Sequence, residues 1–268
     1  MLKQVKHYIE AAVLYLLFTA FRQFSLDTSS FIGGWMARSV GSFLSAHITA
    51  YKNLSRVFPN LSEKEKIKIL DKMWDNLGRT AAELSHLPYE YLTKRIKIIG
   101  AENLPEHGHP AFLFSGHVGN WELLACIAQT NNRPITAVYR EANNKLADNI
   151  ITKIRSVRCF NLIPKGRHGA VKLARAIKNN EAIAMLVDQK MNDGISIPFF
   201  GRDAMTAPAI AELSIRYDMP IVPARIVRKN GANFEGIIYP ALTYEKTGDK
   251  AQDVQNIMLA INQMLEDW

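Results

Sequence analysis

Cysteine is scarce in this chain of 268 residues. Cys126 and Cys159 are too few for a disulfide framework, so a reducing compartment is expected and both thiols read as buried packing residues. No C-x-x-C pair and no H-E-x-x-H occurs, so no metal site is expected. The G-x-S-x-G nucleophile elbow, the P-loop and the dinucleotide glycine pattern are also missing. No internal nucleophile stands out, and no bound cofactor is expected. The apolar run from Ala11 to Phe21, bracketed by Glu10 and Arg22, is too short to cross a bilayer comfortably, and no small-residue cleavage site follows it. Acidic residues are in deficit, with 25 Asp and Glu against 33 Lys and Arg and a formal charge of +8. An acidic partner is therefore expected.

The excess charge is concentrated. Between Arg140 and Lys178 stand ten basic residues (Arg140, Lys145, Lys153, Arg155, Arg158, Lys165, Arg167, Lys172, Arg175, Lys178) against Glu141 and Asp148, a difference equal to the whole excess. Such a stretch reads as a binding surface. At the other end, Lys3 and Lys6 precede the Ala11 to Phe21 run, the pattern of an amphipathic helix lying in a membrane interface with its cations toward anionic headgroups. Phe31 to Ala50 is apolar but broken by Gly33, Gly34, Arg38 and Gly41, and continues that anchor or forms a core helix.

Ser62 followed by Glu65 forms a capping box, and Ile67, Leu70, Met73, Trp74 and Leu77 keep helical spacing, so a helix is expected over Ser62 to Leu87. From Ile96 the pattern changes to short β-branched or aromatic runs alternating with helices. Strands are expected at Ile96 to Ile99, Ala111 to Ser115, Ile135 to Tyr139, Asn161 to Ile163, Ala182 to Val187, Ile221 to Val227 and Phe234 to Tyr239. The expected fold is therefore α/β, a mixed central sheet flanked by helices, with an N-terminal membrane-associated helical region over residues 1–60 and the α/β domain over 61–268.

The segment that carries chemistry is Phe112-Leu-Phe-Ser-Gly-His117-Val-Gly-Asn-Trp-Glu122. An apolar strand ends at Ser115, Gly116 and Gly119 permit a tight turn, and Asn120 is placed to cap a helix beginning at Trp121. His117 then projects from a strand's carboxyl end, where open α/β sheets hold ligands. With His117 on the loop and Glu122 in the first helical turn, the two side chains are expected to meet, the carboxylate fixing one imidazole tautomer while the other nitrogen removes a proton from an alcohol. A base without a protein nucleophile points to direct transfer onto a substrate hydroxyl.

These residues resemble the lipid A late acyltransferases, the lauroyl and myristoyl transferases of the lysophospholipid acyltransferase superfamily. The resemblance rests on His117-x4-Glu122, Tyr139-Arg140-Glu-Ala-Asn-Asn, Leu162-Ile-Pro-Lys165-Gly166, Val187-Asp188-Gln189 and Ile197-Pro-Phe-Phe-Gly201, in order over Ile96 to Arg225. It implies a glycerol-3-phosphate acyltransferase-like fold and transfer of an acyl chain from acyl carrier protein to a hydroxyl of the Kdo-bearing lipid A precursor, an anionic glycolipid acceptor. The implied location is the cytoplasmic face of the bacterial inner membrane. His117 and Glu122 are the implied catalytic pair. Arg140 and Lys165 are candidates for phosphate or phosphopantetheine contacts, Gly166, Arg167, Asn120, Asp188 and Gln189 are further candidates for substrate binding, and Gly201-Arg202 and Thr206-Ala-Pro208 frame the same cleft. Acidic carrier and phosphorylated acceptor both suit the basic stretch.

Two other readings are carried beside this one. In the first, an acyl-CoA-dependent enzyme acts on a lysophospholipid or a mannosylated phosphatidylinositol; the Phe-Pro-Glu-Gly-Thr stretch common there is replaced here by Asp188-Gln189. The second is a non-catalytic membrane or nucleic-acid-binding module. Nucleic acid is disfavoured because only Phe160 interrupts the basic stretch with an aromatic ring.

Overall fold

The computed structural model describes residues 2–86, 94–106, 108–124, 127, 135–156 and 161–268. They form two compact units, one of residues 1–95 with 228–233 and the other of residues 96–227 with 234–268. The division falls after Arg95 and not after residue 60, because the helix expected to open the α/β domain packs instead on the helices before it.

The helical unit contains α1 (Leu2–Phe21), α2 (Leu26–Gly41), α3 (Ser45–Val57) and α4 (Glu63–Leu84). The Ser62–Glu65 capping box starts α4 as expected. Along its length α4 lies against α2, and glycine makes the approach possible. A Cβ on Gly33 would meet the Gly78 carbonyl oxygen at 2.5 Å, and one on Gly41 would fall on the Trp74 ring. Around this seam Glu83, fully buried, accepts from Ser30 Oγ at 2.6 Å and pairs with Arg228 through both carboxylate oxygens. His86 is buried beside it, 3.0 Å from Ser29 Oγ, and burial holds its imidazole below the ordinary histidine range.

Helix α1 buries Ala11, Phe18 and Phe21 but leaves Val5, Ile9, Val13 and Leu16 exposed on another face. Their i, i+4, i+8, i+11 spacing makes a continuous apolar stripe. No helix among the described residues is long and apolar enough to cross a membrane.

In the second unit, β1 (Ile96–Ile99), β2 (Ala111–Ser115), β3 (Ile135–Tyr139), β4 (Asn161–Pro164), β5 (Ala182–Leu186), β8 (Ile221–Arg228) and β9 (Phe234–Ile238) form one sheet in the order β1-β9-β8-β2-β5-β3-β4. All seven expected strands are present, with ends moved by a residue at most. Strands β8, β2, β5, β3 and β4 run parallel, as do β1 and β9. The turn between β8 and β9 is too short for a crossover, so that pair is antiparallel and the sheet is mixed.

Strand β2 lies in the middle of the sheet and is buried along its whole length, which its uninterrupted apolar sequence requires. Helices α5 (Lys145–Arg155), α6 (Arg167–Lys178), α7 (Ala209–Tyr217) and α8 (Lys250–Asp267) also belong to the unit. Ile257, Met258 and Ile261 of α8 pack with Phe112, Phe114, Ile183 and Ile221 in one apolar cluster. Strands β6 (Ile195–Phe199) and β7 (Arg202–Thr206), not among those expected, form an antiparallel hairpin outside the main sheet. Gly201 turns it at φ +68°, and Asn262 of α8 donates to the Pro198 carbonyl at 3.1 Å.

Candidate active site

Parallel pairing brings the site together. Ser115 at the end of β2 is in register with Leu186 at the end of β5, and the Val187 N–H donates to the Ser115 carbonyl at 3.0 Å. His117 and Asp188 each lie two residues beyond that pair, on adjacent strands at the sheet's carboxyl edge. Although 71 residues separate them in sequence, His117 Nδ1 stands 2.7 Å from Asp188 Oδ1, and the His117 backbone N–H donates to Asp188 Oδ2, also at 2.7 Å.

Glycine clears the space for this contact. A Cβ on Gly116 would stand 3.2 Å from Asp188 Oδ2, and one on Gly119, at φ +56°, would overlap the Ile226 carbonyl oxygen of β8. The Trp121 ring meets the imidazole edge-on at 5.0 Å. Both partners of the pair keep some exposure, 33% for the His117 side chain and 25% for Asp188.

Burial pushes the Asp188 carboxyl up, but the hydrogen bonds from the His117 ring and backbone outweigh it and hold the group below the usual carboxylate range. An ionised Asp188 only accepts, so the Nδ1 it meets carries the proton. Nε2, which has no hydrogen-bond partner among the described residues, is then the basic nitrogen.

Glu122 does not partner His117, as the spacing had suggested. It belongs to the 3-10 turn Trp121–Leu123, which Asn120, fully buried, caps by accepting from the Glu122 N–H at 3.2 Å. From there the carboxylate pairs with Arg155 at the end of α5, accepting from Nε at 2.8 Å and from a terminal nitrogen. The physical reason is charge. A guanidinium offers a planar, bidentate partner that a neutral imidazole cannot match, and His117 Nδ1 is already taken by Asp188. Arg155 is thereby turned inward and leaves the basic surface that the sequence suggested.

Arg140 and Lys165 occupy the same edge of the sheet. Each follows one member of the register pair Tyr139 and Pro164 on β3 and β4, and both are exposed. Strands lie about 4.8 Å apart, so Arg140 stands roughly 10 Å and Lys165 roughly 14 Å along the edge from β2. Lys165 Nζ lies 3.9 Å from Met191 Sδ, and Gly166, at φ +117°, precedes α6. Gln189 is exposed next to Asp188. The side chain of Arg167 lies outside the described residues, as do Arg158, Phe160, Cys126 and Cys159. Asp188 was among the expected substrate-side residues, but its pairing with His117 was not foreseen. A polar residue directly after an apolar strand was the signal available, and only the strand order turns that signal into a partner. Among the described residues no cluster of His, Cys, Asp and Glu could hold a metal ion.

The chain is similar to known proteins. The family described as bacterial lipid A biosynthesis acyltransferase matches residues 2–268. A lipid A biosynthesis acyltransferase of Haemophilus influenzae is 23% identical over 269 aligned positions, covering 96% of this chain and 81% of the relative. Among solved structures, the 1-acyl-sn-glycerophosphate (LPA) acyltransferase of Thermotoga maritima aligns with a TM-score of 0.39 and 12% identity, over 98% of each chain. With a match running over nearly its whole length, the chain belongs to the bacterial lipid A biosynthesis acyltransferase family and is an acyltransferase.

Proposed function

We propose that this acyltransferase moves a fatty acyl chain from acyl carrier protein to a hydroxyl of the Kdo-bearing lipid A precursor, at the cytoplasmic face of the bacterial inner membrane. The observation that carries the chemistry is the His117–Asp188 pair at the carboxyl edge of the parallel strands. His117 Nε2 takes the proton of the acceptor hydroxyl as its oxygen attacks the thioester carbonyl. The carbon–sulfur bond then breaks, and the imidazolium returns the proton to the departing thiolate. Asp188 holds Nδ1–H and stabilises the imidazolium between these two events. Glu122 supports the step indirectly, by tying the turn that follows His117 to α5 through Arg155.

Substrate class is supported by charge and by the family. Arg140 and Lys165 lie beyond the pair on one side, and exposed Lys145, Lys153, Lys172, Arg175 and Lys178 extend the positive surface, suited to an acidic carrier and a phosphorylated acceptor. The exposed stripe of α1 with Lys3 and Lys6 supports contact with an anionic bilayer.

Mass spectrometry of lipid A from cells with and without the gene tests the reading. The expected result is one acyl group lost on deletion and restored by the wild-type chain but not by His117→Ala. Unchanged lipid A, together with acylation of lysophosphatidic acid from acyl-CoA by the purified enzyme, would move the protein to a different substrate class.

A further inference from the structure

Five arginines among the described residues meet a carboxylate: Arg155 with Glu122, Arg228 with Glu83, Arg79 and Arg38 with Asp75, Arg95 with Asp27. Arg225 does not. It lies in β8 two residues past Pro223, which is in register with Phe114 of β2, and so stands level with Gly116. Asp188 flanks β2 on the other side, through β5. Two inter-strand spacings, about 10 Å, therefore separate the Arg225 and Asp188 backbones along the same edge.

Its guanidinium lies 5.5 Å from the Trp268 ring centroid and 5.8 Å from that of Tyr239. Trp268 is itself fixed, stacked at 5.7 Å on Phe114 and at 5.7 Å on Tyr239. Among the described residues Arg225 Nε is buried and donates to no acceptor, and no acid pairs with the group. A guanidinium carries five N–H donors in one plane, and the aromatic rings hold that plane without using any of them. The residue is half-buried, so its terminal nitrogens keep both their donors and their access to solvent. A cation set against two aromatic rings, level with the glycine before His117 and paired with no acid among the described residues, is arranged to receive an anion.

We propose that Arg225 binds a phosphate ester of the acyl acceptor, end-on through its two terminal nitrogens, and thereby sets which hydroxyl reaches His117. The inference rests on the acyltransfer reading above and adds a specificity site to it. The acceptor is the source of the phosphate because of distance. A phosphate at Arg225 lies within about two strand spacings of the base, whereas the pantetheine arm of a thioester donor separates its phosphate from the reacting carbonyl by a long chain. The bound phosphate and the deprotonated hydroxyl therefore belong to one compact molecule.

Two measurements test the site. In protein carrying 15N-labelled arginine, the Nε–Hε resonance assigned to Arg225 through its absence in R225M should shift saturably with inorganic phosphate; no shift overturns the site. In steady-state assays R225M, which keeps an apolar stem against the rings, should raise KM for a phosphorylated acceptor roughly 10- to 100-fold with kcat little changed. Wild type and R225M should be alike on the same acceptor stripped of its phosphate, and R225K should fall between them on the phosphorylated one. Equal loss on both acceptors makes Arg225 a packing residue and overturns the proposal. A rise in KM for the thioester donor alone assigns the phosphate to the donor and overturns it as well. If wild-type protein acylates neither acceptor while the resonance still responds to phosphate, the anion site stands and the acyltransfer reading fails, so the two are separable.

Discussion

At the scale of single residues, the two carboxylates near His117 do different work. Asp188 touches the imidazole and Glu122 touches Arg155. Replacing Asp188 by Asn keeps the shape but not the charge, and no longer favours the tautomer with Nε2 as base. Acyl-transfer initial rates should then fall by roughly 10²- to 10⁴-fold with the fold intact. Glu122→Ala acts differently, removing the carboxylate that pairs with the partly buried Arg155 guanidinium. Complete burial of a broken pair would cost more, but the Arg155 side chain is 27% exposed, so a loss of about 1–3 kcal/mol is expected in urea unfolding. Reversing the pair, with Glu122→Arg and Arg155→Glu together, should regain part of it. If Glu122→Ala instead keeps full stability and loses all activity, Glu122 is the orienting acid and Asp188 is not.

Among the elements, the α2 and α4 seam is where the helical unit is most sensitive. The contact is backbone to backbone at Gly33 and Gly78, and it buries polar groups that must remain paired, including Ser30, Glu83 and His86. His86 gives this seam a pH dependence. Its imidazole is held below the usual 6.5, so between the two values the unfolded chain binds a proton that the folded one refuses. The unit's stability is therefore full above about pH 6.5 and declines as the pH falls through that value toward the depressed one. Denaturant midpoints measured across this range should show the decline in wild type and a flatter profile in His86→Gln; identical profiles would place the titration elsewhere.

For the whole molecule, the excess of basic charge and the exposed apolar stripe of α1 predict how it meets a surface. Binding to anionic vesicles, followed by flotation, should weaken as salt rises, because the Debye length shrinks from about 10 Å at 0.1 M to about 3 Å at 1 M. Removing residues 2–21 should reduce binding further at every salt concentration. Undiminished flotation of the shortened protein would assign membrane contact to another surface.

Features that depend on neighbours along the chain are legible in the residues alone. Capping at Ser62 and Asn120 follows from side chains that reach two or three residues, and the seven sheet strands follow from short runs of β-branched and aromatic residues between turns. The hairpin β6–β7 escaped detection because Pro198 and Arg202-Asp203 break the pattern that marks a strand. His117 was legible from its place after an apolar strand and before a capped turn. Its partner was not, because an ion pair is chosen by proximity in space. Spacing of five residues offered Glu122, but only the tertiary structure, by setting β5 beside β2 in parallel register and α5 within reach of the Glu122 turn, gave the histidine Asp188 and gave Glu122 an arginine.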